Sequence, residues 1–304
     1  RNGNSLRNPG SAIPYLERIK NYYQALGYDK PYLWARHEDV PFTPLPKLVS
    51  YCRIGLLTTA APYQPNKGDQ GPGAAYNGAA KFHRVYSMPT NEVPDLRISH
   101  IAYDRDHSCA EDMNCWFPLA QMKQFSAAGV IGPLPPRFHG LPTNRSQRTT
   151  LTQDCPDVLA RLRGDGADAA IIVPNCPVCH QTAGLTACYL ERNGLPTVIM
   201  GCAKDIIEHV GVPRFLFSDF PLGNGAARPH DPVSREQTLR GALTLLQEAT
   251  APRTTVQSPL QWADNEEWKR DYANIERLSA AEIALRRREF DAQKKAAKHQ
   301  QTSQ

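Results

Sequence analysis

The stretch from Ala169 to Gly184 constrains this chain more than any other. Ala169 to Val173 is a short apolar run rich in branched residues, the pattern of a buried strand. Pro174-Asn175 breaks it. The spacing then predicts a helix with Cys176 at the N-cap and Pro177 at the first helical position, where the missing N–H costs nothing. Gly194, after Arg192-Asn193, is a natural stop. Pro196 to Met200 reads as the next strand, Asp205 to Val210 as a helix and Arg214 to Phe217 as a strand. Ser234 and Gln237 then form a capping box for a helix running to Thr250. Such alternation implies a parallel α/β layout. Ligands in such sheets bind beyond the carboxyl ends of the strands. Cys176, Cys202 and the 218–231 loop all follow strand ends, so they are expected to converge.

The first half is less regular. Tyr15, Leu16, Ile19, Tyr22, Tyr23 and Leu26 recur at helical spacing and Gly27 ends the pattern. Residues 1–10 are polar and read as loose. Residues 32–46 are proline-rich, a segment suited to wrapping another domain or a neighbouring subunit. Lys47 to Thr59 reads as the first strand of the main fold, and 61–80 as an ordered loop or lid. Arg84 to Pro89, Leu96 to Ile101 and Gly129 to Gly132 read as further strands, Phe117 to Ala128 and Asp157 to Arg163 as helices, and 133–148 as a loop. The fold expected is α/β, with two Rossmann-like parallel lobes around a shared cleft. The parts are an N-terminal helix and proline-rich wrap at 1–46, a first lobe at 47–150, a second lobe at 151–251 and a polar helical tail at 252–304. Within that tail, Ser279 and Glu282 restart a helix.

The helix start at 176–180 matters for its thiols. A free cysteine titrates near about 8.5, and a helix N-terminus lowers that value because unpaired N–H groups and the helix dipole favour the thiolate. The thiolate is the reactive form, so Cys176 is the best nucleophile candidate. Cys179, three residues on, is spaced to resolve a mixed disulfide with it. A protonated His180 would push in the same direction. Two blander readings compete: buried structural thiols, and a zinc site containing Cys176, Cys179 and His180. Against zinc, the chain shows no second Cys-x-x-Cys or His-x-His to complete four ligands, so no metal is expected. The eight cysteines are scattered without a short framework, which points to a reducing cytoplasm.

Composition excludes other classes. The net charge is +5, and much of it lies at the C-terminal end, where residues 283–304 carry six Lys/Arg against two acidic residues. The rest is nearly neutral, so no nucleic-acid footprint is indicated. No apolar run reaches the ~20 residues of a membrane helix, and no signal peptide is visible. There is no phosphate-binding Gly-x-x-x-x-Gly-Lys-Ser/Thr loop. Gly164-Asp-Gly166 precedes a strand rather than following one, so neither flavin nor nicotinamide is expected.

Pro174-Asn-Cys-Pro-Val-Cys-His-Gln-Thr182 resembles the selenoprotein B family of the glycine, sarcosine and betaine reductases and of D-proline reductase, and more closely its stand-alone bacterial D-proline reductase-like members. The resemblance runs from about Pro14 to about Pro232. It includes His100-x-x-Tyr-Asp104, Asp112-x-Asn114, Phe117-Pro118, Gly129-x-Ile-Gly132, Gly194-x-Pro196-Thr197 and Pro221-Leu-Gly-Asn224. The family often carries selenocysteine where this chain has Cys176, so the resemblance implies a cysteine counterpart. Clostridial members also use a pyruvoyl group on a separate polypeptide, and no pyruvoyl-generating site is recognisable here.

The resulting expectation is a cysteine-dependent reductase that cleaves a carbon–heteroatom bond of a small polar substrate. Cys176 attacks, Cys179 resolves, His180 tunes the thiol or donates a proton, and an external dithiol or thioredoxin restores the pair. Asn175, beside the nucleophile, is expected to bind the substrate. His100, Tyr103, Asp104, Asp112 and Asn114 form the opposite wall, and Asp219, Asn224, Arg228 and His230 hold polar groups of the substrate. A homo-oligomer is compatible with the polar tail. Two other readings remain at this stage. One is a thiol–disulfide protein acting on a protein partner, which predicts a shallow, exposed Cys176 instead of a cleft. The other is a non-catalytic or metal-binding subunit of a larger assembly.

Overall fold

The computed structural model describes residues 10–98, 100 and 103–303. Residues 1–9, expected to be loose, and Ser99 and Ile101, expected in a strand, lie outside the described residues. In chain order the elements begin with helix α1 (Tyr15–Ala25), strands β1 (Ile54–Thr58), β2 (Ala61–Pro62), β3 (Tyr86–Pro89) and β4 (Leu96–Arg97), helix α2 (Leu119–Ala127) and strand β5 (Arg137–Gly140). A short helix α3 (Gln147–Thr149) runs through a π turn (Thr150–Asp154) into α4 (Cys155–Gly164). Then follow β6 (Ala169–Val173), α5 (Pro177–Arg192), β7 (Thr197–Gly201), α6 (Lys204–Val210), β8 (Arg214–Phe217), α7 (Pro232–Glu248), β9 (Thr254–Gln257) and α8 (Ala280–Ser303).

Seven strands form one sheet in the order β3-β5-β1-β6-β7-β8-β9, parallel throughout except for β3 at one edge. The α/β class with a helix at each end is as the sequence reads. The two-lobe layout is not. β1 of the first half lies between β5 and β6, with Leu56 opposite Ile171 and Leu57 opposite Ile172, so both halves feed a single sheet.

The alternation of side chains across the strands builds three layers. Ile54, Leu56, Ile171, Val198 and Leu216 face α2 and α7 through Leu119, Met122, Phe125, Leu239 and Leu243. Leu57, Ile172, Ile199 and Phe215 face α4, α5 and α6 through Val158, Leu162, Ala187, Leu190 and Ile207. Every residue of β1 and β6 is buried, as central parallel strands covered on both faces must be.

Several boundaries differ from the sequence reading. Gly129–Gly132 is a turn, and the nearby strand is β5, inside the expected loop. Gly132 is close to the backbone of Cys52, its N–H donating to Cys52 O at 2.9 Å. Val49–Tyr51 is a 3₁₀ turn, so β1 starts only at Ile54. Asp231, not Ser234, caps α7 by accepting the Ser234 N–H at 3.1 Å. The tail is not wholly helical, because β9 closes the sheet edge beside β8.

The proline-rich wrap lies on its own chain. Tyr32 hydroxyl accepts from the Gln181 side chain of α5 at 2.6 Å, and Ala35 N–H donates to Gln181 Oε1 at 2.7 Å. Farther along, Thr43 N–H donates to Glu191 at 2.8 Å. Glu191 also meets Arg214 in an ion pair at 3.0 Å whose two side chains are fully buried. The Arg214 guanidinium stacks over Phe42. Helix α8 starts on a reciprocal Ser279–Glu282 capping box. It docks on α1 and the turn that follows it through Phe290 against Tyr23 and Tyr28. Among the described residues no helix is long and apolar enough to cross a membrane.

Candidate active site

The candidate site gathers at the carboxyl ends of β1, β5, β6 and β7. After β6 the chain turns sharply, and Asn175 N–H donates to Thr59 Oγ1, just past β1, at 3.1 Å. Cys176 is the N-cap of α5 with extended backbone, and its sulfur accepts the Cys179 N–H at 3.2 Å. A sulfur can take the capping place of a serine hydroxyl because the first-turn N–H groups have no helical partner. Cys176 and Cys179 form a disulfide with Cα atoms 4.9 Å apart. Thr143, past the end of β5, has its hydroxyl 3.0 Å from Cys179 Sγ. No sequence signal singled out Thr143, which lies in a proline-bounded turn.

Two histidines flank the motif in different ways. His180 is fully buried. Its Nδ1 lies 2.7 Å from Cys176 O, and its Nε2 lies 3.0 and 3.2 Å from the N–H groups of Cys202 and Ala203. A carbonyl can only accept and an amide N–H can only donate, so Nδ1 carries the proton and Nε2 is the acceptor. Burial pushes its pKa down to about 4. Both nitrogens are therefore committed to holding the β7 turn against the motif. The expected role of His180 as thiol tuner or proton donor does not fit this geometry. Gly201 makes the contact possible, since a Cβ there would stand 2.6 Å from His180 Nε2.

His100 stands on the sulfur side. Its Nε2 bonds the carbonyl of Thr59, and a ring nitrogen lies with both sulfurs in a buried group whose atoms are all within 4.8 Å of one another. Burial first, with Lys81 and Arg105 adding to it, lowers its pKa to about 4, partly offset by the Thr59 bond. His100 is thus a neutral imidazole beside the disulfide.

Cys176, Cys179 and His180 are at most 1% exposed. Pro177 and Val178, the two residues between the cysteines, line a cleft of about 1680 Å³. Tyr103 and Asp104 are on its wall, together with Tyr32, Trp34, Arg105, Arg145 and, from α8, Phe290 and Lys294. Burial raises the Asp104 carboxyl to about 6, against the lowering effect of His107. Its Oδ1 accepts the N–H groups of Asp106 and His107, while Oδ2 is buried with no partner among the described residues. Asn175 is fully buried, and among the described residues neither atom of its carboxamide has a partner.

The remaining expected wall residues do not line this cleft. Asp112 is the N-cap of a 3₁₀ turn, Met113–Cys115, and accepts from Asn114 at 2.9 Å, His230 N–H at 2.7 Å and Arg235 at 3.0 Å. Burial alone would raise its pKa, but those donors outweigh burial and hold the carboxyl below its ordinary value. Asn114 is that cap's partner. Asp219 is ion-paired with Lys269. Asn224 is buried between Pro221 O and Ser108 Oγ. Arg228 pairs with Asp231, and His230 is exposed beside Glu111. Their polar atoms serve loop closure, because Asp and Asn cap turns as readily as they bind substrates.

The sequence comparisons agree with the motif. The chain is 24% identical over 222 residues to D-proline reductase subunit gamma of Acetoanaerobium sticklandii, covering 73% of this chain and 89% of that protein. The chain is related to reductase gamma subunits. The second relative is glycine reductase complex component B subunit gamma of Carboxydothermus hydrogenoformans, 26% identical over 211 residues. That match covers 68% of this chain and 47% of the relative, so the chain spans about half of its length. No protein-family model matches the chain, and no solved structure matches it.

Proposed function

We propose that this chain is a reductase subunit whose Cys176–Cys179 pair reductively cleaves a carbon–heteroatom bond of a small polar substrate. The carrying observation is a disulfide buried behind Pro177 and Val178, the two residues through which its loop meets a large cleft. In the reduced protein the Cys176 thiolate displaces the heteroatom from carbon. Cys179 then attacks the Cys176 sulfur, forming the disulfide and releasing the carbon with the bonding electron pair, which takes a proton. The balance is one substrate R–X and two thiols giving R–H, H–X and one disulfide. The carbanion character calls for an electron-withdrawing neighbour on the substrate. An external dithiol small enough to reach the buried pair reduces it again.

Asp104 is the proton-handling group in this reading. His100 lies close to both sulfurs, and burial keeps it neutral, so it is a polar neighbour of the pair rather than the base for a thiol. Asp104 on the cleft wall holds its proton to about pH 6 and supplies it to the product. His180 acts as a positioning residue. The reductase names of both relatives support the reaction class, and their subunit status supports work alongside other polypeptides. The burial of both sulfurs disfavours exchange with a protein partner, since a disulfide in a folded partner needs an exposed attacking sulfur.

The test is anaerobic turnover of D-proline, glycine or related α-substituted carboxylates with a chemical dithiol, alone and with partner subunits. Cys176→Ser is expected to abolish turnover. Cys179→Ser is expected to stop after one event and leave substrate carbon attached to Cys176, seen as a mass increase on that peptide. Full turnover by Cys176→Ser contradicts the proposal.

A further inference from the structure

The same buried corner has a second chemical capacity that does not depend on the reductase reaction. We propose that, when Cys176 and Cys179 are reduced, they bind one thiophilic divalent cation of the zinc class together with His100, and that forming the disulfide expels it.

Two thiolates and an imidazole are a ligand set that selects zinc-like ions over magnesium or calcium. Here the three donor atoms lie within 4.8 Å of one another, and all three residues are buried. Tetrahedral coordination at ~2.3 Å to sulfur places two sulfurs ~3.8 Å apart, the separation to which the reduced pair has to open. The surroundings suit a metal thiolate. The Cys179 N–H donates to Cys176 Sγ at 3.2 Å, and the Thr143 hydroxyl lies 3.0 Å from Cys179 Sγ. Both contacts stabilise charge on sulfur. His100 is held through Thr59 O, the kind of outer bond that fixes a ligating imidazole. The second, independent observation is Asn175, one residue before Cys176. Among the described residues, neither atom of its fully buried carboxamide has a partner, an arrangement that suits a guest. Three protein ligands leave a fourth position for water or a group entering from the cleft.

The steps balance. A dithiol reduces the disulfide, becoming a disulfide itself and leaving two protein thiols. The cation then replaces both thiol protons, which go to solvent. Oxidation removes two electrons from the thiolates and frees the cation. Metal occupancy and the redox pair are therefore mutually exclusive states of one site, so the cation would hold the pair out of reaction.

The full chain would be reduced with a phosphine, stripped of metal and titrated anaerobically with Co²⁺, then with Zn²⁺. The expected result is one equivalent of Co²⁺ with a thiolate-to-cobalt charge-transfer band, displaced by Zn²⁺ and absent from the disulfide form and from Cys176→Ser. His100→Ala should weaken binding by about tenfold or more. His100→Gln serves as the second variant if the alanine protein does not fold by circular dichroism. Absence of the band in the reduced protein, or affinity unchanged in the folded His100 variants, overturns the proposal. Failure to bind metal in a protein that still cycles between dithiol and disulfide removes the metal site and leaves the reductase reading intact. Metal binding without such cycling does the reverse.

Discussion

Asp104 shows how burial sets chemistry one residue at a time. Its ordinary value is 3.8, and burial lifts it to about 6. The shift favours the protonated carboxyl in the folded state. Its contribution to stability is therefore fully present below pH 3.8 and is lost as pH rises through about 6. If Asp104 supplies the product proton, kcat/KM should fall above about pH 6 on a limb that disappears in Asp104→Asn, together with most of the rate. A limb unchanged in that variant would remove Asp104 from the proton path. Gly201 is the second single-residue test. An alanine Cβ would meet His180 Nε2 at 2.6 Å, so Gly201→Ala should cost about 1–3 kcal/mol, read as a lower denaturation midpoint with an unchanged slope. The residue scale is also where sequence reading reached its limit. It singled out Cys176, Cys179, Asn175, His100, Tyr103 and Asp104, which the fold brings to this corner and its cleft, and gave His180 a thiol-tuning role although both of its ring nitrogens are bonded elsewhere. Chain adjacency put His180 beside the thiols, whereas its side chain turns to the β7 loop.

At the scale of elements, the segments from α4 to α7 were legible because each apolar run and each helix face repeats long enough to give its period. β5 and β9 were not. Arg137-Phe-His-Gly140 and Thr254-Thr-Val-Gln257 are four residues each, with few apolar side chains to show a period. The pairing of β1 with β6 was equally hidden, because it joins residues more than a hundred positions apart and no local pattern encodes it. The proline-rich wrap is held by the buried Glu191–Arg214 pair and by bonds from Thr43 to Glu191. Glu191→Ala leaves the Arg214 guanidinium buried without its carboxylate. The expected loss is about 3–5 kcal/mol, measurable by urea denaturation, with the 32–46 segment becoming the first site of proteolysis. A loss under 1 kcal/mol would mean that the wrap is held by its apolar contacts instead.

For the whole molecule, the arrangement reduces to a redox pair at the carboxyl ends of a parallel sheet, screened from solvent by Pro177 and Val178 and approached through a cleft that α1, the wrap and α8 enclose. Helix α5 presents its N-terminus to the pair, and β7 and the 201–203 turn brace it from behind. The central claim is that this placement activates Cys176. Differential iodoacetamide labelling of the reduced protein, read peptide by peptide, tests it most directly. Cys155 and Cys188 are the controls, equally buried thiols that burial pushes up to about 12. Exposed Cys109 is a reference for access alone. The account predicts that Cys176 labels much faster than Cys155 and Cys188 at neutral pH, and that mild oxidation protects it by linking it to Cys179. Labelling of Cys176 no faster than those two thiols would contradict the account.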